Sequence, residues 1–163
     1  MLPALSALAL LPFACAIGIW VSWSDMKCMK IPNKAVMAML AVWLVVGVIA
    51  VPFPLWLWGW VLGAAVLAIG FIANAAGLIG AGDAKFAAAI APVFIKADWG
   101  AVLPLFAACL LGAFAAHRLS RMIPAIRSAT ADWTSWTHKD FPMGLALSGT
   151  LIFYLLALVR PLL

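Results

Sequence analysis

Glutamate is absent from this sequence, and acidic residues as a class are rare. Five of the 163 residues are aspartates, against ten lysines and arginines, so the net charge is +5. Charged residues account for 9% of the chain and hydrophobic residues for 68%. Soluble domains are about one quarter charged and about half apolar. The shortage of charge therefore excludes a soluble globular domain.

Cysteine is scarce as well, and its three copies lie far apart in sequence, at Cys15, Cys28 and Cys109. Structural zinc sites and disulfide frameworks use paired, closely spaced cysteines. The sequence has no C-x-x-C pair and no histidine and carboxylate cluster with metal-ligand spacing. We therefore predict no metal site, no cofactor and no disulfide framework.

Long apolar runs dominate what is present. About 20 apolar residues are needed to cross a bilayer, so the chain has room for at most about seven crossings. The apolar runs predict six spans, at residues 2–23, 34–51, 55–76, 84–95, 98–116 and 142–160. The fourth is short and contains Pro92, so we expect it to be broken or to cross only part of the bilayer. The sequence predicts an all-α integral membrane protein with about six transmembrane helices in one bundle, a single domain over residues 1–163.

Basic residues are unevenly distributed between the gaps that separate these spans. The gaps at 24–34, 77–85 and 117–141 contain eight of them, whereas the opposite side has only Lys96 and Arg160. Positive charge concentrates in cytoplasmic loops and meets anionic lipid head groups there. We therefore expect a bacterial inner-membrane protein with these three gaps in the cytoplasm and both termini outside. Membrane orientation also accounts for the basic charge without a nucleic-acid partner.

The longest polar stretch, residues 117–141, carries Trp133 and Trp136 three positions apart. Basic residues interleaved with tryptophan are typical of a helix that lies in the membrane interface. They fit equally well a basic loop anchored by interfacial aromatic side chains. Both interpretations stay open at the level of sequence.

Two of the five aspartates lie at the margins of predicted spans. Asp98, Asp132 and Asp140 fall in loops, where capping or solvated roles are expected. Asp25 directly follows the first span and Asp83 opens the fourth. A carboxylate at the membrane margin is costly without a partner or a purpose. From position alone, helix capping explains Asp25 and Asp83 as well as chemistry does.

The residues around these two aspartates form recognisable motifs. Asp25 precedes Ile31-Pro32-Asn33 by six residues, the second motif runs from Gly80 through Gly82 and Asp83 to Lys85, and Phe141-Pro142-Met143-Gly144 precedes the last span. Pro32 disfavours helix at the residue before it. The glycines allow close approach of a peptide backbone. This geometry suits two carboxylates that meet across a helix bundle.

These three ordered motifs resemble those of the type IV prepilin peptidases, which are aspartic membrane proteases of the Gly-x-Gly-Asp class. The chain is most similar to the short peptidases of tight-adherence (Flp) pilus systems, because it lacks the length and the paired cysteines of a methyltransferase region. The resemblance implies that Asp25 and Asp83 are the catalytic pair at the cytoplasmic face. It assigns support of the active-site loops to the flanking motif residues, which are Gly80, Gly82, Ile31, Pro32 and Asn33.

The same resemblance implies a prepilin or pseudopilin substrate, cleaved after a short basic leader that ends in glycine. Lys30 and Lys85 are candidates for contact with an acidic substrate residue after the cut, and Lys85 for contact with Asp83. Many relatives have a second proline after the last motif, but here Leu145 follows Gly144. We therefore assign Pro142 and Gly144 a structural role only.

The expected reaction uses one ionised and one protonated aspartate around a water molecule. The sequence does not show which aspartate carries the proton, and it does not show the oligomeric state. One alternative is a transporter subunit with Asp25 and Asp83 as ion or proton sites, although such carboxylates tend to lie near the bilayer midplane. Others are a related protease with a different leader-peptide substrate, and a structural bundle with two capping aspartates.

Overall fold

The computed structural model describes residues 1–162, and within them every regular element is helical. Leu163, the last residue of the predicted domain 1–163, lies outside the described residues. The helices are α1 (Ala4–Cys28), α2 (Asn33–Ala50), α3 (Phe53–Ala75), α4 (Ala81–Ile90), α5 (Trp99–Met122), α6 (Pro124–Ala129) and α7 (Met143–Val159). The predicted all-α class is confirmed.

Five helices are long and apolar enough to cross a membrane: α1, α2, α3, α5, and α7 with its extension to Leu162. The predicted fourth span, 84–95, differs from them. It forms the ten-residue α4 followed by a 3-10 helix, Ala91–Phe94, that contains Pro92. At 1.5 Å per α residue and 2.0 Å per 3-10 residue the two cover about 23 Å, less than the roughly 30 Å hydrocarbon core. The count of about six spans therefore becomes five plus one short helix.

Helix α4 lies inside the bundle and not at its edge. It packs against α2, α3 and α7, and residues 88–94 of α4 and its 3-10 extension are all buried. Small residues allow this close packing: Gly70 of α3 faces Ala84, and Gly63 faces Pro92. Small residues at helix contacts are the usual route to tight packing in membranes. Asp83 lies in the first turn of α4, so the packing of α4 fixes the position of that aspartate.

Helices α1 and α7 form the most extensive pair in the bundle, and α5 packs on α7 from another side. Gly18 of α1 leaves room for Ser148 and Ile152 of α7. A π-helical turn, Trp43–Gly47, interrupts α2. There the indole Nε1 of Trp43 donates to the Trp56 carbonyl oxygen at 3.3 Å, and Trp56 Nε1 donates to the Trp43 oxygen at 2.9 Å. These reciprocal bonds join α2 to α3.

The three basic gaps meet at one end of the bundle, which we call the aspartate end because it contains Asp25 and Asp83. Asp25 contacts Gly144, Lys27 pairs with Asp132 at 3.1 Å, and Lys85 contacts Asn33. The predicted clustering of these gaps is therefore present in the fold.

The first part of the predicted polar stretch 117–141 belongs to a long apolar helix. Helix α5 continues to Met122, so residues 117–122 belong to it, and the remainder contains the six-residue α6 and a 3-10 turn, Thr134–Trp136. No single interfacial helix covers the described stretch. Trp136 is fully buried there, with its Nε1 donating to the Thr130 carbonyl oxygen at 2.8 Å. Trp133 stacks on Trp136 and makes an edge contact with Trp23 of α1.

Candidate active site

Asp25 lies in the last turn of α1 and is 4% exposed. Its Oδ2 accepts a hydrogen bond of 2.7 Å from the backbone N–H of Gly144, at the start of α7. Helix α1 ends at Cys28, and its C-cap residue Met29 has a positive φ of 51°. The Ser24 hydroxyl then donates to the Lys30 carbonyl oxygen at 2.8 Å, which holds the turn into the next motif. Local backbone geometry thus fixes the carboxylate between α1 and α7.

Asp83 lies in the first turn of α4, three residues after the N-cap residue Gly80. A side chain at Gly80 would place a Cβ 2.6 Å from Asp83 Oδ2, so only glycine lets this carboxylate fold back over the helix start. Burial raises the pKa of Asp83 from 3.8 to about 6. The neighbouring Asp25 carboxylate also raises it, whereas a backbone hydrogen bond from Gly80 acts in the opposite direction. The two aspartates are therefore close enough to influence each other electrostatically.

Two cavities meet at this pair of carboxylates. The first, of about 400 Å³, is called the lysine cavity here; it is lined by Asp25, Met29, Lys30, Ile31, Pro32, Asn33, Gly80, Ala81, Gly82, Asp83 and Lys85. The second, of about 540 Å³, is called the histidine cavity; it is lined by Asp25, Met29, Gly77, Leu78, Ile79, Gly80, Asp83, His138, Lys139, Asp140, Phe141 and Met143. Asp25, Met29, Gly80 and Asp83 belong to both. Both carboxylates therefore border each cavity.

The sequence-predicted support residues come together in the lysine cavity. Pro32 is the N-cap residue of α2, and a Cβ at Gly82 would touch Ile31 at 3.4 Å. The first and second motifs are joined by Lys85, whose Nζ donates to Asn33 Oδ1 at 3.5 Å. Among residues 1–162 Lys85 forms no ion pair with Asp83, so the structure places its ammonium on the Asn33 amide instead. Lys30 lines the same cavity.

Gly144 lies closer to the site than the sequence suggested. A Cβ on it would lie 2.9 Å from Asp25 Oδ2 and 3.0 Å from Val21 Cγ1, so the contact with Asp25 requires glycine. Pro142, the N-cap residue of α7, is fully buried. A proline followed two positions later by glycine at a helix start is a usable signal, because glycine there exposes an unpaired N–H to an anion. Sequence reasoning assigned these two residues a structural role and missed this contact.

The wall of the histidine cavity was also missed. The Asp140 backbone N–H donates to His138 Nδ1 at 3.2 Å, which holds the His138 side chain beside Asp140 at the cavity wall. Both residues directly precede the Phe141–Gly144 motif in sequence, and this position could have indicated that they lie near the site. Asp98 and Asp132 lie elsewhere: Asp98 caps α5 through a 2.9 Å bond from the Gly100 N–H, and Asp132 pairs with Lys27.

Metal binding needs a larger set of ligands than these residues provide. Within residues 1–162 no group of three or more histidine, cysteine or acidic side chains is placed to hold a metal ion. The arrangement instead offers two neighbouring carboxylates in different environments, a pair that can exchange protons with a bound molecule.

A comparison with protein families agrees with this geometry. The family model for the type IV leader peptidase family matches residues 12–117, about two thirds of the chain, and includes both aspartates. Neither the curated proteins nor the solved structures provide a match. The match covers more than half of this multi-pass helical chain, and the two motif aspartates within it share a cavity wall. The chain therefore belongs to the type IV leader peptidase family, a family of proteases.

Proposed function

We propose that this protein is an aspartic endopeptidase that removes the short basic leader of prepilins or prepilin-like proteins. Asp25 and Asp83 act together on one water molecule. The observation that carries the proposal is their common position at the junction of two cavities. The pKa of Asp83 is raised to about 6, which is the direction a carboxyl group needs if it is to take up a proton beside a second carboxylate; at neutral pH a minority of the molecules hold that proton.

The proposed chemistry is a shared-proton hydrolysis. The ionised carboxylate removes a proton from water while the protonated one donates to the oxygen of the scissile carbonyl. Two carboxyl groups in one site lose their protons in two steps that belong to the pair. The first carboxyl group then protonates the leaving nitrogen as the carbon–nitrogen bond breaks, and a diol hydroxyl returns a proton to the second, which releases the leader and restores the starting protonation state of the site.

The proposed substrate follows from the family and from the walls of the site. Lys30 and Lys85 border the lysine cavity, where an acidic side chain shortly after the cut would find two ammonium groups. Leu78, Ile79, Phe141 and Met143 give the histidine cavity an apolar border that suits the start of the mature helix. We place the aspartate end in the cytoplasm of a bacterial cell, because eight of the ten basic residues belong to the gaps that meet there.

The test is co-expression with an Flp-type prepilin and measurement of leader removal by gel shift for wild type, Asp25→Asn and Asp83→Asn. Asparagine preserves size and hydrogen-bonding ability but cannot exchange the proton, so both variants should accumulate full-length prepilin. Asp98→Asn is the matched control, because asparagine can still accept the Gly100 N–H bond that caps α5. It should cleave as wild type does.

Three outcomes would contradict the proposal in different ways. Normal cleavage by either site variant would show that its aspartate is a helix cap. Failure of the wild type to cut several prepilins while cutting another leader-bearing membrane protein would replace the substrate. If no leader is removed from either class, the transporter alternative, with Asp25 and Asp83 as ion sites, becomes the better explanation.

A further inference from the structure

We infer that Asp25 is the ionised member of the pair and takes the proton from water, that Asp83 carries the shared proton, and that the backbone N–H of Gly144 is the positioning group that sets this order. The inference rests on the proposed function for its catalytic meaning. The order of ionisation itself is a property of the protein and can be measured without a substrate.

The contact between Asp25 and Gly144 is the first observation. Gly144 is the second residue of the 17-residue helix α7, where backbone N–H groups have no partner within the helix. Its N–H meets Asp25 Oδ2 at 2.7 Å, the length expected of a charge-assisted hydrogen bond. Asp25 is 4% exposed, which disfavours its charged form, and the Gly144 bond acts against this by occupying one oxygen and favouring the ionised form. The other oxygen, Oδ1, remains for the water molecule.

The surroundings of Asp83 favour its ionised form less than those of Asp25 do. Asp83 has a backbone partner too, in Gly80, and lies in the first turn of α4, where a helix favours anions. Burial and the charge of Asp25 nevertheless outweigh the Gly80 bond, so that the pKa of Asp83 reaches about 6. Asp25 lies at the C-terminal end of α1, which disfavours a negative charge, but helix-end effects are weaker than a direct charge-assisted bond.

Other charged groups face the pair from both sides. Lys30 and Lys85 border the lysine cavity, and His138, Lys139 and Asp140 border the histidine cavity. Among residues 1–162 none of them forms an ion pair with Asp25 or Asp83. The direct bond from the Gly144 N–H, by contrast, is made to Asp25.

This order gives a balanced reaction. Asp25 removes a proton from water as the water oxygen bonds to the scissile carbon, and Asp83 gives its proton to the carbonyl oxygen, so a neutral diol forms. Asp25 then passes its proton to the leaving nitrogen as the carbon–nitrogen bond breaks. One diol hydroxyl returns a proton to Asp83. Both carboxyl groups end in their starting states.

The test is a carboxyl titration by carbon-13 NMR of the whole protein, labelled at the aspartate side-chain carboxyl carbon, in detergent micelles. The chain has five aspartates and no glutamate, so few side-chain signals compete. Asp25→Asn and Asp83→Asn assign the two signals of interest. We expect the Asp25 signal to change at lower pH than the Asp83 signal in the wild type. We also expect the Asp83 step to move to lower pH in Asp25→Asn. The reverse order in the wild type would overturn the inference.

A second variant tests the role of Gly144. In Gly144→Ala the added Cβ forces Asp25 away from the N–H, so the Asp25 step should move to higher pH and the acidic limb of the cleavage profile should move with it. Gly149→Ala, in the same helix, is the control, because its Cβ would meet Cys109 at an ordinary 3.6 Å. An unchanged Asp25 step in a folded Gly144→Ala would remove Gly144 from the inference. A titration in the expected order without cleavage of any prepilin would refute the proposed function and leave the ionisation order standing.

Discussion

Asp83 combines a half-buried carboxyl group with a pKa of about 6, which makes the stability of the fold depend on pH. The folded-state pKa lies above the ordinary value of 3.8, so the folded protein binds this proton more tightly than the unfolded chain does. The contribution of Asp83 to stability is therefore most favourable below about pH 4 and is lost as the pH rises through about 6. The difference is at most about 3 kcal/mol, and partial contact with water reduces it to about 1–2 kcal/mol.

Asp83→Asn should therefore be more stable than wild type at neutral pH. Asparagine cannot ionise, so the variant avoids the cost that the wild type meets between about pH 4 and 6. We expect a gain of about 1–2 kcal/mol at pH 7.5 that disappears near pH 4. Thermal unfolding of both proteins in the same detergent at the two pH values measures it. A gain of equal size at both would show that the asparagine acts through packing and not through charge.

Lys30 and Lys85 provide a residue-scale test of substrate preference. Each exposed ammonium is worth about 0.2–1 kcal/mol in an ion pair, so Lys30→Ala and Lys85→Ala should each lower kcat/KM by about 1.4- to 5-fold for a prepilin with an acidic residue near the cut. Lys34→Ala is the control, since Lys34 lies at the same end but outside both cavities. A prepilin in which that acidic residue is replaced by glutamine should lose the effect. If the lysine variants lower kcat/KM equally for both prepilins, the lysines do not interact with this acidic residue.

At the element scale, α3 holds α4, and with it Asp83, by direct contact of small residues. In Gly70→Ala the new Cβ would lie 2.9 Å from Ala84 Cβ and 3.3 Å from its Cα, directly beside Asp83. Backbone atoms cannot give way cheaply, so α4 has to shift. We expect a stability loss of about 1–3 kcal/mol and a clear loss of cleavage. The measurements are thermal unfolding and the prepilin gel shift.

Gly112→Ala is the matched control for that helix contact. Gly112 lies in α5, and a Cβ there would meet nothing within 4 Å. Stability and cleavage should stay close to wild type. If Gly70→Ala behaved in the same way, the spacing of α3 and α4 would not determine the geometry of Asp83.

The helical elements themselves could be predicted from sequence to different extents. Apolar runs located all five long helices, because a run long enough to cross a membrane is a strong signal. The fourth span was expected to be short and broken because it contains Pro92, and the ten-residue α4 followed by a 3-10 helix with Pro92 confirms this. Residues 117–122 were assigned to a loop because His117, Arg118 and Arg121 are polar. The structure continues α5 through them, with His117 buried against Trp136.

At the scale of the whole molecule, the sequence predicted that distant motifs would meet, but it did not predict how. The basic gaps and the two aspartates were expected at one end, and the fold brings them to one end. The bond from Gly144 to Asp25 joins residues 119 positions apart and depends on a main-chain N–H, which no side-chain pattern reveals. The catalytic roles of Asp25 and Asp83 stay predictions until cleavage is measured.

The orientation of the whole bundle can be tested with the protein's own cysteines. Cys28 is exposed at the aspartate end, whereas Cys15 and Cys109 lie within long apolar helices. If that end faces the cytoplasm, a membrane-impermeant maleimide should label Cys28 only after the inner membrane is opened. Lys96→Cys in a Cys28→Ser background should be labelled in cells with an intact inner membrane, because Lys96 is exposed in the turn before α5 at the other end. The opposite labelling pattern would put Asp25 and Asp83 outside the cytoplasm. They could then not reach a leader that remains on the cytoplasmic side, whatever their chemistry.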